Sequence, residues 1–314
     1  MKTKYSGFGP GLAPIAKLLR VLLIAGVGLG LLGGAAVAAG KKAKADAAAD
    51  TPIELGAKKF EELDAKDFDR SEHIDNPWLP LKPGMQWVFE GYTEEEGKRI
   101  PHRIVFSVTD LVKEIGGVRT RVIFDADYSN GVMIEKELTF FAQDKVGNVW
   151  HLGQYREVHD KEGFIGGQIW HIGNPEGAKA GIMMPANPQP GTPSFSEGYA
   201  PAPFNWTDRG RVYQMGQKIK VPAGSFDDVL VMDEFDAANP GVFQLKYYAR
   251  GVGNVAVGSR GRKTDTREAL SLVKKHLLSP AELAVIRSSA QELEARGSMY
   301  PRSPLEHIPL AKTP

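Results

Sequence analysis

The chain has no cysteine among its 314 residues. That excludes disulfides, thiolate metal sites, a cysteine nucleophile and lipid attachment at an N-terminal cysteine. A domain of this composition must be stable through its core alone. Net charge is also scarce: 39 Lys and Arg stand against 38 Asp and Glu. The first 38 residues hold four of the basic side chains and no acidic one, so the remainder is slightly acidic. A chain so near neutrality argues against a nucleic-acid partner, which would want a basic stripe, and none is expected. Catalytic signatures are missing too. There is no Gly-x-Ser-x-Gly and no His-Glu-x-x-His. Gly251-Val252-Gly253 lacks the third glycine of a phosphate loop, and Ser271-Leu272-Val273-Lys274 lies in a strand pattern, where Lys does not reach Ser.

What is present begins with the leader. Lys2, Lys4, Lys17 and Arg20 precede an uncharged run over residues 21–40 that ends in Ala36-Val37-Ala38, a small-x-small cleavage pattern. Residues 1–38 therefore read as a signal peptide or a membrane anchor. A transmembrane helix through residues 18–40 would just cross about 30 Å of hydrocarbon, and the mature chain would otherwise start near Ala39. No Arg-Arg pair precedes the run, which argues against twin-arginine export. Either way the working part is expected outside the cytoplasm, periplasmic or extracellular. Residues 39–71, rich in Ala, Lys and Asp, read as a linker that is partly helical.

From residue 72 the texture changes. Ile74-Asp75-Asn76-Pro77-Trp78-Leu79-Pro80-Leu81-Lys82-Pro83-Gly84 excludes regular helix. Alternating runs follow, separated by Gly116-Gly117, Asn130-Gly131 and Gly147-Asn148 turns. Residues 72–275 are thus predicted to form one antiparallel β domain, a meander that makes a curved sheet or an open barrel. A long irregular excursion interrupts it at 161–212. Residues 276–314 read as a C-terminal α-helix and an extended tail. Ser279, Pro280 and Glu282 form a capping box with Pro at the first helical position, and Leu283, Ile286, Ala290 and Leu293 form one stripe.

One cluster carries candidate chemistry. Odd positions of a strand share a face, so His151, Tyr155, Glu157 and His159 should project together. Glu157 and His159 have the spacing to share a metal, with His171 returning from a neighbouring strand. His151 and His159 are about 26 Å apart along a straight strand and do not meet. A stable metal site usually needs three or four ligands, so no metal and no cofactor is expected.

Taken together, Ile74 to Gly84 followed by Trp87, Phe141-Ala142-Gln143-Asp144 with Gly147-Asn148-Val149-Trp150, Val221-Pro222-Ala223-Gly224-Ser225-Phe226-Asp227-Asp228-Val229, and Tyr247-Tyr248-Ala249-Arg250-Gly251-Val252-Gly253 resemble a group of exported bacterial proteins of unassigned function. The resemblance spans about residues 72–260. It implies an exported β-rich domain and supplies no activity. The favoured expectation is a non-catalytic envelope protein that binds an apolar ligand or a protein partner in a sheet concavity lined by Trp87, Phe89, Phe141 and Trp150. The alternative is a secreted hydrolase or metal-dependent enzyme using the His151–His159 strand.

Overall fold

The computed structural model describes residues 60–201, 205–236, 239–262, 266–297 and 306–307. The leader and most of the linker lie outside them. Fourteen strands form one antiparallel sheet: β1 (Met85–Glu95), β2 (Lys98–Ile115), β3 (Val118–Ser129), β4 (Val132–Gln143), β5 (Val149–Asp160), β6 (Gly163–His171), β7 (Gly181–Met184), β8 (Phe195–Ser196), β9 (Arg209–Val221), β10 (Gly224–Phe235), β11 (Val242–Ala249), β12 (Gly253–Gly261), β13 (Thr266–Leu277) and β14 (Glu306–His307). One helix, α1 (Pro280–Arg296), follows β13. The expected curved meander with a C-terminal helix is what the chain adopts.

Strand order is β6-β5-β4-β3-β2-β1-β13-β12-β11-β10-β9-β8, with β7 on β5 and β14 on β2. Two meanders thus meet at a seam between β1 and β13. The sheet stays open as a ladder, but it curls until its ends touch. Lys179, before β7, and Tyr199, after β8, exchange both backbone hydrogen bonds at 2.8 and 2.9 Å. The turn between β3 and β4 has φ of 49° at Asn130 and 79° at Gly131, the left-handed pair that matches strand twist in a tight hairpin. The Gly- and Pro-rich stretch 161–212 holds β6, β7 and β8 between its turns.

Residues 60–71, read above as part of the linker, pack on the sheet. Leu63, Ala65 and Phe68 are the reason: they sit against the outer core, and Phe68 lies edge-on to Trp150 at 6.1 Å. The two faces have different partners. On β3 and β4, Val122, Phe124, Leu138 and Phe140 point outward into a core completed by Ala290 and Leu293 of α1. Residues of the other parity, Ile123, Asp125 and Asp127 on β3 and Glu135, Glu137, Thr139 and Phe141 on β4, point into the concavity.

The helix forms as its end signals dictate. Ser279 Oγ accepts from Glu282 N at 3.3 Å, and Ser279 N donates to Glu282 Oε2 at 2.8 Å. Leu283, Ala290 and Leu293 are buried, with Ile286 partly so. Three ion pairs fasten the helix to the sheet: Arg287 to Asp110, Lys113 to Glu294 at 2.8 Å, and Arg296 to Glu157 at 2.8 Å. β14 then pairs with β2 at Leu111 and Val112, beyond the reach of β1, and covers an edge that would otherwise be open. Leu283→Ala should cost roughly 2–3 kcal/mol, the low end for a buried leucine, because the first helical turn has room to settle. A thermal melt checks this, and an unchanged midpoint would show that the helix does not need its stripe.

Candidate functional site

The concave face holds a partly open cavity of about 150 Å³. Its wall is divided by strand. β1 and β2 supply Trp87, Phe89, Ile104 and Phe106, and the neighbouring rungs on β3 and β4 supply carboxylates. The register makes this explicit. Trp87 stands beside Phe106, Phe106 beside Asp125, and Asp125 beside Glu137. One rung along, Phe89, Ile104, Asp127 and Glu135 form the same series. β11, β12 and β13 close the far side with Gln244, Lys246, Tyr248, Asn254, Val257, Glu268 and Leu270.

The Pro-rich segment before β1 makes one end of this space. Leu79 and Leu81 line it, while Trp78 is buried beneath the Arg250 guanidinium, 4.1 Å from the ring centroid. Asn76 holds the corner. Its Oδ1 accepts from Trp78 N at 2.8 Å, and its Nδ2 donates to Gly147 O at 2.9 Å and Pro185 O at 3.2 Å. Gly251 N donates to Pro77 O at 2.7 Å, and Trp87 Nε1 to Val252 O at 2.8 Å. Three of the four distinctive sequence phrases therefore meet at one structural corner.

The carboxylates set the electrostatics. Asp127, Glu135, Glu137 and Glu268 are buried, and Asp125 is partly buried. Few cations face them. Lys246 Nζ is 3.3 Å from Glu234, Arg156 Nε is 3.5 Å from Glu135, and His102 Nε2 is 3.2 Å from Glu268 and 3.9 Å from Asp127. Burial, and then the charge of Glu135, push Asp125 up to about 7. Burial likewise raises Glu135 to about 7, against the pull of Arg156. Asp127 and Glu137 are held well above the ordinary carboxyl range by burial and by one another's neighbours. Burial works against the Lys246 ammonium, but Glu234, Glu268 and Glu197 raise it above its usual value. This face keeps protons that exposed carboxylates release near pH 4.

Trp87, Phe89 and Phe141 lie on the cavity wall. Trp150 does not. It belongs to the opposite face, with Nε1 donating to Asp144 Oδ2 at 2.8 Å. The histidine strand is also divided. A bulge places Phe140 opposite Gly153 and Phe141 opposite His151, so Leu152 is extra and the side-chain parity reverses. Gly153 adopts φ 153°, and a Cβ there would stand 2.5 Å from Trp170 O. His151 consequently turns inward among Phe141, Trp170 and Trp206, where burial lowers it to about 4 and keeps it neutral. Tyr155 and Glu157 face α1. Tyr155 donates to Glu157 Oε1 at 2.7 Å, and Arg296 binds both Glu157 oxygens at 2.8 and 2.9 Å. Burial alone would raise Glu157, but the bonds from Arg296 and Tyr155 hold it below its usual range. His159 Nε2 is 3.8 Å from Glu157. His171 pairs with Gly153, about 20 Å along the strand from His159. Among the described residues, no group of three or more His, Asp or Glu is placed to hold a metal ion.

Sequence reasoning missed the inward acids. Their signal was the spacing of Asp125 with Asp127 and of Glu135 with Glu137, two residues apart on both arms of the Asn130-Gly131 hairpin. Such alternation reads as a solvent face, because the opposite parity is apolar. Here the apolar parity serves α1, and the polar parity faces the cavity.

No protein-family model matches the chain, and no curated protein matches it. Among the described residues, no helix is long and apolar enough to cross a membrane. Two solved structures are similar. One is a protein described provisionally as exported, with a YmcC-like fold, from Bacteroides fragilis. The other is described provisionally as a lipoprotein, from Parabacteroides distasonis. Each is 12% identical with a TM-score of 0.36 and covers 64% of this chain, matching 100% and 99% of its own length. At that similarity they bear on neither the function nor the site of this chain.

Proposed function

We propose that this chain is an exported protein that holds an apolar or amphiphilic ligand in the concavity of its sheet, without acting on it chemically. The observation that carries the reading is the cavity itself. Its volume of about 150 Å³ is of the size that takes a small apolar molecule, and aromatic and aliphatic side chains line the β1–β2 wall. A core filled for stability alone would be close-packed there. The leader sequence supports export, and the inward histidine, neutral and enclosed by aromatic rings, gives no support to acid–base chemistry on β5.

The test uses N-phenyl-1-naphthylamine, an uncharged probe that brightens in apolar surroundings. Wild-type protein should bind it in about one-to-one ratio and quench Trp87. Met183→Trp, which places a larger side chain on the partly exposed rim, should abolish binding while the melting temperature stays close to wild type. Binding that survives Met183→Trp unchanged, or no binding by the wild type, would sink the proposal.

A further inference from the structure

Four side-chain oxygens on the cavity lining are buried without a hydrogen-bond partner: Asp125 Oδ1, Glu137 Oε2, Gln244 Oε1 and Asn254 Oδ1. With the carboxyls ionised all four are acceptors, Glu137 in its protonated form bonding Glu135, and among the described residues that line the cavity no buried donor is without a partner. Glu137 is only 3% exposed and Gln244 only 6%, so bulk solvent does not satisfy them. The Gln244 orientation is fixed by its own bond, Nε2 donating to Glu268 Oε2 at 3.1 Å, which leaves the oxygen turned to the cavity. Buried acceptors without donors are costly, and a buried charge without a counter-charge more so.

The charge count points the same way. Asp125 and Asp127 on β3, Glu135 and Glu137 on β4, Glu268 on β13 and Glu234 on β10 converge on this region. They are opposed by Lys246 on β11, Arg156 on β5 and His102 on β2. Six carboxyls against these three leave a deficit of positive charge on the β3–β4 side, the Lys275 ammonium lying apart, 5.2 Å over the Trp87 ring and donating to Gly251 O.

We propose that the ligand is a cationic amphiphile, an apolar body with a protonated amine or quaternary ammonium head that lies against the β3–β4 carboxylates. This deepens the binding reading above and rests on it. The apolar body takes the wall of Trp87, Phe89, Ile104 and Phe106. An ammonium supplies donors to the orphaned oxygens, while a quaternary head supplies charge and meets the Trp87 and Phe106 ring faces as well. The head group replaces the protons that the empty cavity retains, so binding releases protons near neutral pH.

Calorimetry on the full chain decides this with three probes of equal tail length, kept below their micellar concentrations: decylammonium, decanol and decanoate. Decylammonium should bind about tenfold or more tightly than decanol, and decanoate more weakly than either. Its affinity should rise between about pH 6 and about pH 8, with proton release seen as a buffer-dependent heat. Decanol affinity should be flat over the same range. Glu137→Gln, which keeps shape and removes charge, should reduce decylammonium binding about tenfold and so narrow its lead over decanol. Equal affinities for decylammonium and decanol would overturn the cationic head while the apolar cavity stands. Tightest binding of decanoate would overturn it outright. No binding of any of the three would overturn both readings. The wild-type comparison holds even if the variant misfolds.

Discussion

Trp78→Ala is expected to destabilise the protein by about 3–5 kcal/mol, enough to leave little of a typical domain's stability. Trp78 is 2% exposed and belongs to the inner core with Leu79, Leu81 and Trp87. Its removal opens a cavity in a segment that has little freedom to collapse. Pro77 and Pro80 flank it, Asn76 fixes its backbone N–H, and Gly251 fixes the Pro77 carbonyl. The stacked Arg250 would lose a contact worth roughly 0.5–1 kcal/mol. Val146→Ala serves as the control, since Val146 is 75% exposed in a turn and should shift stability by less than about 0.5 kcal/mol. Urea unfolding of both variants measures the difference. A Trp78 variant as stable as the control would mean that this corner is an ornament of the fold.

Raising the pH should weaken the ligand-free protein. Asp125 and Glu135 titrate near 7 in the folded state, and Asp127 and Glu137 higher than ordinary carboxyls. A folded pKa above the unfolded one stabilises at low pH, and that stability is lost as pH climbs through the folded value. Buried histidines oppose this at lower pH. His151, His159 and His171 are all lowered by burial, so the unfolded chain binds their protons first and stability rises up to about pH 6.5. Above that point the carboxyls act alone. A retained proton costs on the order of 1.4 kcal/mol per pH unit until it is lost, so Asp125 and Glu135, which lose theirs near 7, together make the loss between about pH 6.5 and about pH 8 on the order of 1–2 kcal/mol, and Asp127 and Glu137 add to it. Lys246, raised above its usual range, stays charged throughout. Glu137→Gln should flatten the profile and stabilise the protein at the alkaline end. Chemical unfolding at stepped pH values tests this, and a stability that is level or rising over that interval would refute it.

The fold was legible where local chemistry decides. Asn130-Gly131 needs positive φ, Ser279 and Glu282 cap a helix start, and each takes the conformation its residues favour. What stayed hidden depends on parity and on partners. Gly153 reads in sequence as any strand glycine, yet the bulge beside it sends His151 to one face and Glu157 to the other. Trp150 and Phe141 both read as aromatic lining, and only the register separates the outer face from the inner. Asp127 and Glu135 carry a solvent-face signature, because sequence alternation says which residues share a side and not what that side meets. The distinctive phrases around Trp78, Gln143 and Gly251 proved to be joinery. Asn76 N donates to Gln143 Oε1 at 2.8 Å, and these segments hold one corner together and carry no reactive group.

The β1–β13 seam has a consequence for the order of events in folding. Met85 is paired with Leu277, so the first long strand waits for nearly the last one before its second edge is covered. Hairpins from β2 to β6 and from β9 to β12 close through short turns and assemble locally. The seam carries the loop-closure cost of the entire domain, which makes it the slow step. For a chain that emerges N-terminus first, from a ribosome or from a translocation channel, β1 has one free edge until β13 arrives. Such a chain remains threadable for as long as β13 is held back, and its two meanders become one sheet only once that strand is delivered.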